Sequence, residues 1–206
     1  LDWFTPQTKV ETDGSDLVAI TEIVASGSDE ALVAAMDIGQ FTEMSVTRSI
    51  FGGIDTMSAD GNNYFLYNVD GYWSIIAWDL DADLGYPYYF SNALSVDPKA
   101  PWLTSPWAWN PVTGAPYTDP VLTRALEMGA DTEAIVAAVL AGPGDWATVD
   151  AEIVAATHLI RDDVHADILG YGPSFEQRQA DLRLFVHTRI SQLLGEDAAN
   201  CADSEV

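Results

Sequence analysis

The chain is poor in cysteine, in positive charge and in long apolar runs, and each shortage closes off a class of protein. Cys201 is the single cysteine of the 206 residues and lies in a polar C-terminal stretch. A disulfide framework and a cysteine-based zinc site are therefore excluded. Only 8 Lys and Arg residues face 32 Asp and Glu, a formal charge of −24. Nonspecific binding to nucleic acid or to an anionic membrane needs a basic surface, so both are disfavoured. The plainest source of such acidity is a surface solvated in a saline setting; a requirement for divalent cations is compatible with it. No run approaches the ~18 consecutive apolar residues of a membrane span. The chain starts at Leu1 with no basic leader or signal-like apolar segment, which reads as a fragment or a processed form.

What is present suits one compact domain. Hydrophobic residues make up 48% and aromatics 11%, enough for a sizeable core. Residues 1–14 read as an irregular lead-in broken by Pro6 and Gly14. Ser15 then serves as a candidate N-cap for a short helical pattern carrying Leu17, Ile20, Ile23 and Val24. Ser28-Asp29-Glu30 opens another short helix running to Met36, and Asp37 with Gln40 forms a capping arrangement for a helix over about 38–51. The stripe of that helix is Ile38, Phe41, Met44, Ser45, Arg48 and Phe51, and Gly52-Gly53 ends it. Residues 86–120 hold seven prolines and many aromatics without periodicity, and are expected to form a long packed loop. Helices follow over about 121–128, 131–141, 148–168 and 175–194. The last has Ser174 and Gln177 as a capping box, Leu182, Phe185, Val186, Ile190 and Leu193 on one face, and Gly195 as its stop; 196–206 is a polar tail.

The chemistry centres on residues 54–85. Two β-prone runs, Tyr64–Val69 and Tyr72–Trp78, are joined by Asp70-Gly71, a strong hairpin signal because both turn residues accept positive φ. Asp55, Asp60, Asn62 and Asn63 precede this ribbon, and Asp79, Asp81 and Asp83 follow it. A hairpin brings such groups together at its open end, as hard oxygen ligands suited to Mg²⁺ or Ca²⁺. An EF-hand reading of Asp79-x-Asp81-x-Asp83 fails, because Leu84 stands where glycine is needed and Phe90 where glutamate is needed. The order helix, Asp55, Asn63, hairpin, Asp79, long loop matches the order of phosphoryl-transfer groups in protein kinases, although no His-Arg-Asp or Asp-Phe-Gly string is present.

Asn63-Tyr64-Phe65-Leu66-Tyr67, Trp73, Ile76-Ala77-Trp78-Asp79-Leu80-Asp81 and Leu84-Gly85 together resemble the spore-coat protein H (CotH) kinase-like family. Gly14-Ser15-Asp16-Leu17, Met36 to Phe41, the Asp55-to-Asn63 spacing and the closing helix with Phe185 and Arg189 are similar to it as well, so that the likeness spans roughly 13–195. The resemblance implies an α+β fold: an atypical protein-kinase-like carboxy-terminal lobe over 15–195, mainly helical, with a central β-hairpin carrying the acidic site. It implies ATP and Mg²⁺ or Mn²⁺ as cofactors and a protein Ser/Thr hydroxyl as acceptor. Asp55 would be the catalytic aspartate, Asn63 and Asp79 the residues that hold the metal and orient the nucleotide, and Asp81 a further metal ligand. An extracellular, cell-surface or spore-coat location follows from the same likeness. Two departures stand out: Ala77 replaces a usual proline, and the β-rich amino-terminal lobe is not visible. A kinase needs a lysine from that lobe, whereas Lys9 lies in the lead-in and Lys99 in the Pro-rich loop. Read as whole, the chain is a metal-binding lobe alone; read as a fragment, its other lobe precedes Leu1.

Two other readings stay open at this point. One is a surface or adhesion module that binds Ca²⁺ and uses Trp102, Trp107 and Trp109 for glycan or protein contact. The other is a catalytically inactive relative. His158, His165 and His187 read as ordinary helix residues, and Arg124, Arg161 and Arg189 as internal salt-bridge partners. No Gly-x-Ser-x-Gly elbow supports a serine hydrolase, and the oligomeric state does not follow from the residues.

Overall fold

The computed structural model describes residues 13–53, 63–80, 84, 104–109, 116–167 and 174–195. Among these are seven helices and two separate two-stranded antiparallel sheets. The helices are α1 (Ser15–Ser26), α2 (Asp29–Ala35), α3 (Ile38–Ile50), α4 (Pro120–Glu127), α5 (Thr132–Leu140), α6 (Trp146–Ala166) and α7 (Phe175–Leu194). The strands are β1 (Tyr64–Val69) paired with β2 (Tyr72–Ala77), and β3 (Thr104–Trp109) paired with β4 (Pro116–Thr118). The mainly helical architecture with one central hairpin is the one expected, and the helix limits agree within about two residues.

Part of the negative charge is structural. Asp37, Asp119, Asp131 and Asp145 each accept a backbone N–H at the start of α3, α4, α5 and α6, satisfying donors that have no partner inside the helix. Ser28 does the same for α2. Three expected caps form differently. Gly14 rather than Ser15 occupies the cap position of α1, with the Ser15 N–H bonded to Asp13 Oδ1. Ser174 makes no side-chain cap on α7, and Gln177 donates to Asp181 instead. At α3 the box opens outward: the Asp37 side chain accepts from Gln40 N, but Gln40 Oε1 accepts the N–H of Ile75 at 3.3 Å. The Asp37 N–H goes to Trp73 O at 2.9 Å. The start of α3 is thus tied to β2.

Residues 86–120 are not wholly irregular. Within them Thr104 pairs with Thr118 and Trp109 with Pro116, with a register shift between. Pro106 and Pro116 mask the strand signal, yet in a two-stranded sheet every strand is an edge, where proline is tolerated.

Three apolar clusters hold the elements together. Ile20, Leu32, Met36, Phe41, Trp73, Ile75, Val121 and Leu122 join α1, α2, α3, α4 and the inner face of the hairpin. Val46, Ile50, Val136 and Leu193 join α3, α5 and α7. Ile153, Phe185, Val186 and Ile190 join α6 to α7. Helix α3 lies between the first two and buries seven residues, four of them polar: Thr42, Ser45, Arg48 and Ser49. No helix among the described residues is long and apolar enough to cross a membrane.

Candidate functional site at the open end of the hairpin

The turn of the hairpin forms as the sequence predicts. Asp70 and Gly71 have φ of 53° and 88°, and Val69 faces Tyr72 across the ladder. This is the two-residue turn whose twist suits antiparallel strands. Gly71 N also donates to Asn68 Oδ1 at 2.8 Å.

At the other end the ladder closes on the predicted ligands. Tyr64 pairs with Ala77, and one step outward the Trp78 N–H donates to Asn63 O at 3.0 Å. Asn63 and Asp79 are therefore brought to the same end of the ribbon. Both are left-handed, with φ of 59° and 51°, and Leu84 follows with φ of 61°. Together with Asp70 these are the four non-glycine residues of positive φ among those described. Such conformations are uncommon outside glycine and gather where surrounding contacts over-determine them. Leu84 thus takes a conformation for which glycine is favoured.

The contacts that hold this end come from α3. Gly52, at φ 68°, and Gly53 end the helix in a Schellman turn, with Gly52 N to Ser49 O and Gly53 N to Arg48 O. Leu84 N donates to Phe51 O at 2.7 Å, and the Leu84 side chain packs against the α6–α7 cluster beside Phe51. The buried Arg48 reaches Asn63 O with Nη1 at 3.4 Å. Arg189 of α7, 1% exposed, donates from Nε to Ile50 O at 3.1 Å and from Nη2 to Ser49 O at 2.9 Å. Both guanidiniums sit at the negative end of the α3 dipole, where a cation is favoured. These anchors were not recognised as such from sequence: Arg48 appears there only as a member of a helical stripe and Arg189 as a salt-bridge partner. A carbonyl acceptor about 140 residues away leaves no local pattern. Arg124 and Arg161 do make the expected ion pairs, Arg124 with Asp29 at 2.6 Å and Arg161 with Glu176 at 3.5 Å. Arg124 also caps α1 by donating to Ile23 O at 2.9 Å.

The hairpin has two unlike faces. Tyr64, Leu66, Trp73 and Ile75 pack into the core, while Tyr67, Val69, Tyr72 and Ile76 are exposed on the outer face. Trp78, 58% exposed, lies against the ring of Phe65 beside Asp79, with centroids 5.2 Å apart. Behind the open end sits Asp119, fully buried. Its Oδ1 accepts Val121 N and Leu122 N at 2.8 and 3.0 Å, while Oδ2 has no hydrogen-bond partner among the described residues. Burial pushes this carboxyl up to about 6, against which the two amide bonds work. Tyr64 is raised too, first by burial and then by the Asp119 charge. The Asp119-Pro120 pair marks a helix start in the sequence, but carries no sign of the burial of Asp119.

Of the predicted site residues, Asn63 and Asp79 are brought together, whereas Asp55 and Asp81 lie outside the described residues. Trp102, a contact residue only in the alternative reading as a surface module, does too. No three His, Cys, Asp or Glu side chains converge among the described residues. An amide oxygen and a carboxylate are hard donors that fit Mg²⁺, which commonly takes one or two protein oxygens and completes its shell with water and phosphate. The histidines behave as helix residues: His165 pairs with Glu176 at 2.9 Å, His187 lies against the ring of Trp146 at a tilt of 60° and His158 is exposed.

No curated protein and no solved structure matches the chain. The sequence profile described as CotH kinase protein does match, over residues 2–189, which takes in α1 to α6, both sheets, the open end of the hairpin and α7 as far as Arg189. The chain belongs to the CotH kinase protein family.

Proposed function

We propose that the protein is an atypical protein kinase that transfers the γ-phosphate of ATP to a Ser or Thr hydroxyl of a protein, with Mg²⁺ or Mn²⁺. The observation that supports this reading is that Asn63 and Asp79, both left-handed, lie at the same end of the hairpin, in a chain of this family. Asp79 and Asn63 would hold the metal, with Asp81 as a further ligand and Asp55 as the base. The metal, when bound, neutralises charge on the phosphates. The acceptor hydroxyl oxygen forms the new P–O bond as the bond from the γ-phosphorus to the β–γ bridging oxygen breaks; its proton passes to Asp55 and ADP leaves. Asn63 and Asp79 contribute by orientation, which the backbone anchors from α3 supply in advance. The protein would act at the cell surface or spore coat.

Incubation with labelled ATP, Mg²⁺ or Mn²⁺ and protein acceptors tests the reading. Label transfer by the wild type and its loss in Asp79→Ala is the expected result; equal transfer by both removes Asp79 from the site. The exposed outer face with Tyr67, Tyr72, Ile76 and Trp78 favours one other reading, a Ca²⁺-dependent surface module. A melting scan separates them: Ca²⁺ alone raises Tm in the module, whereas ATP is needed together with Mg²⁺ in the kinase.

A further inference from the structure

We infer that Arg48 and Arg189 are positioning residues of this site, a reading that rests on the phosphotransferase proposal for its chemistry but on the hydrogen bonds for its geometry. The end of α3 holds both sides of the open hairpin. On one side Arg48 Nη1 donates to Asn63 O, the same oxygen that accepts Trp78 N. On the other, Phe51 O accepts the N–H of Leu84, five residues beyond Asp79 in the sequence. Asn63, Asp79 and Leu84 are all left-handed without being glycine, and such geometry lasts only where neighbours enforce it. Arg189 then fixes the platform itself. Its guanidinium is planar, so Nε and Nη2 grip the successive carbonyls of Ile50 and Ser49 in one orientation, which a single ammonium cannot reproduce. Ser49 O also takes Gly52 N, and Arg48 O takes Gly53 N. The α7 fork, the Schellman turn, Arg48 and Phe51 thus form one bonded unit from Arg189 to Asn63.

A merely structural role predicts general destabilisation; a positioning role predicts local loosening together with weaker metal–nucleotide binding. The test uses the full chain as wild type, Arg48→Met, Arg48→Lys, Arg189→Lys and Val136→Ala. The last removes a buried side chain from the cluster of α3, α5 and α7 that also holds Ile50, but takes away none of these hydrogen bonds. Amide exchange is followed by NMR at Trp78 and Leu84, and the Mn²⁺ concentration giving half-saturation is measured with ATP present. The expected result is exchange at Trp78 faster by about tenfold or more in Arg48→Met and at Leu84 in Arg189→Lys, each with half-saturation raised about tenfold. Arg48→Lys, able to donate to one carbonyl, recovers most of the Trp78 protection, and Val136→Ala changes neither quantity in its folded population. Trp78 and Leu84 exchange as in the wild type in the arginine variants, or equally fast in Val136→Ala, overturns the inference. Local loosening in the arginine variants with no nucleotide-dependent Mn²⁺ binding by the wild type removes the phosphotransferase reading and leaves the anchoring standing.

Discussion

At the turn of the hairpin, Asp70 and Gly71 take positive φ, and everything that explains them lies within four residues: the ladder on either side and the Asn68 side chain. At the open end Asn63, Asp79 and Leu84 take the same left-handed conformation. There the support comes from Arg48 and Phe51, and through them from Arg189, far away in sequence. One ribbon thus has a locally determined end and a globally determined end. A tight turn needs left-handed residues to reverse the chain, whereas in the proposed function the long-range contacts of the open end would serve to aim an amide and a carboxylate.

The largest expected effect concerns the support behind the open end. Asp119 is raised from 3.8 to about 6 by burial, so the folded protein binds its proton more tightly than the unfolded chain does. Its contribution is most favourable below about pH 4 and is lost as pH rises through about 6, a change of about 3 kcal/mol. Asp119→Asn keeps an oxygen for the cap and removes this titration. Denaturant unfolding of both proteins between pH 4 and 7 is expected to show a stability difference that changes across that window by about that amount; parallel pH profiles would show that the buried acid is not strained. A smaller effect is expected at the turn. Gly71→Ala places a Cβ at φ 88° with nothing within 4 Å, so only backbone strain is added, about 1 kcal/mol. Its Mn²⁺ half-saturation with ATP stays at the wild-type value, because the turn is local. The smallest stability change is expected for Asp79→Gly. Relief of the left-handed strain leaves stability unchanged or raised by up to about 1 kcal/mol, measured by denaturant unfolding, while phosphate transfer is lost. A clear destabilisation would place Asp79 among the structural residues.

The same contrast explains what could be read from the sequence. Asp70-Gly71 announces the turn because its cause is local, and Ser28 and Asp37 announce helix starts for the same reason. That Asn63 and Asp79 come to the same end of the ribbon was legible because a two-residue turn at Asp70-Gly71 fixes which residues reach the open end. The role of Arg189 was not, since a backbone carbonyl as partner carries no sequence signature. Asp119 shows half of each: its capping role is written in the following Pro120, whereas its burial depends on how α4 meets the first core cluster. Strands β3 and β4 were hidden by Pro106 and Pro116, which argue against strands in the middle of a sheet but not at its edges.

The two ends of the hairpin also provide the most direct test of the central claim, because each carries an aspartate of nearly the same backbone conformation, Asp70 at φ 53° and Asp79 at φ 51°. Mn²⁺ binding can be followed by electron paramagnetic resonance with and without ATP in wild type, Asp70→Asn and Asp79→Asn. One nucleotide-dependent Mn²⁺ site is predicted, retained in Asp70→Asn and lost in Asp79→Asn. Retention of that site in Asp79→Asn, or equal loss in both variants, would contradict the assignment of the open end as the metal–nucleotide site.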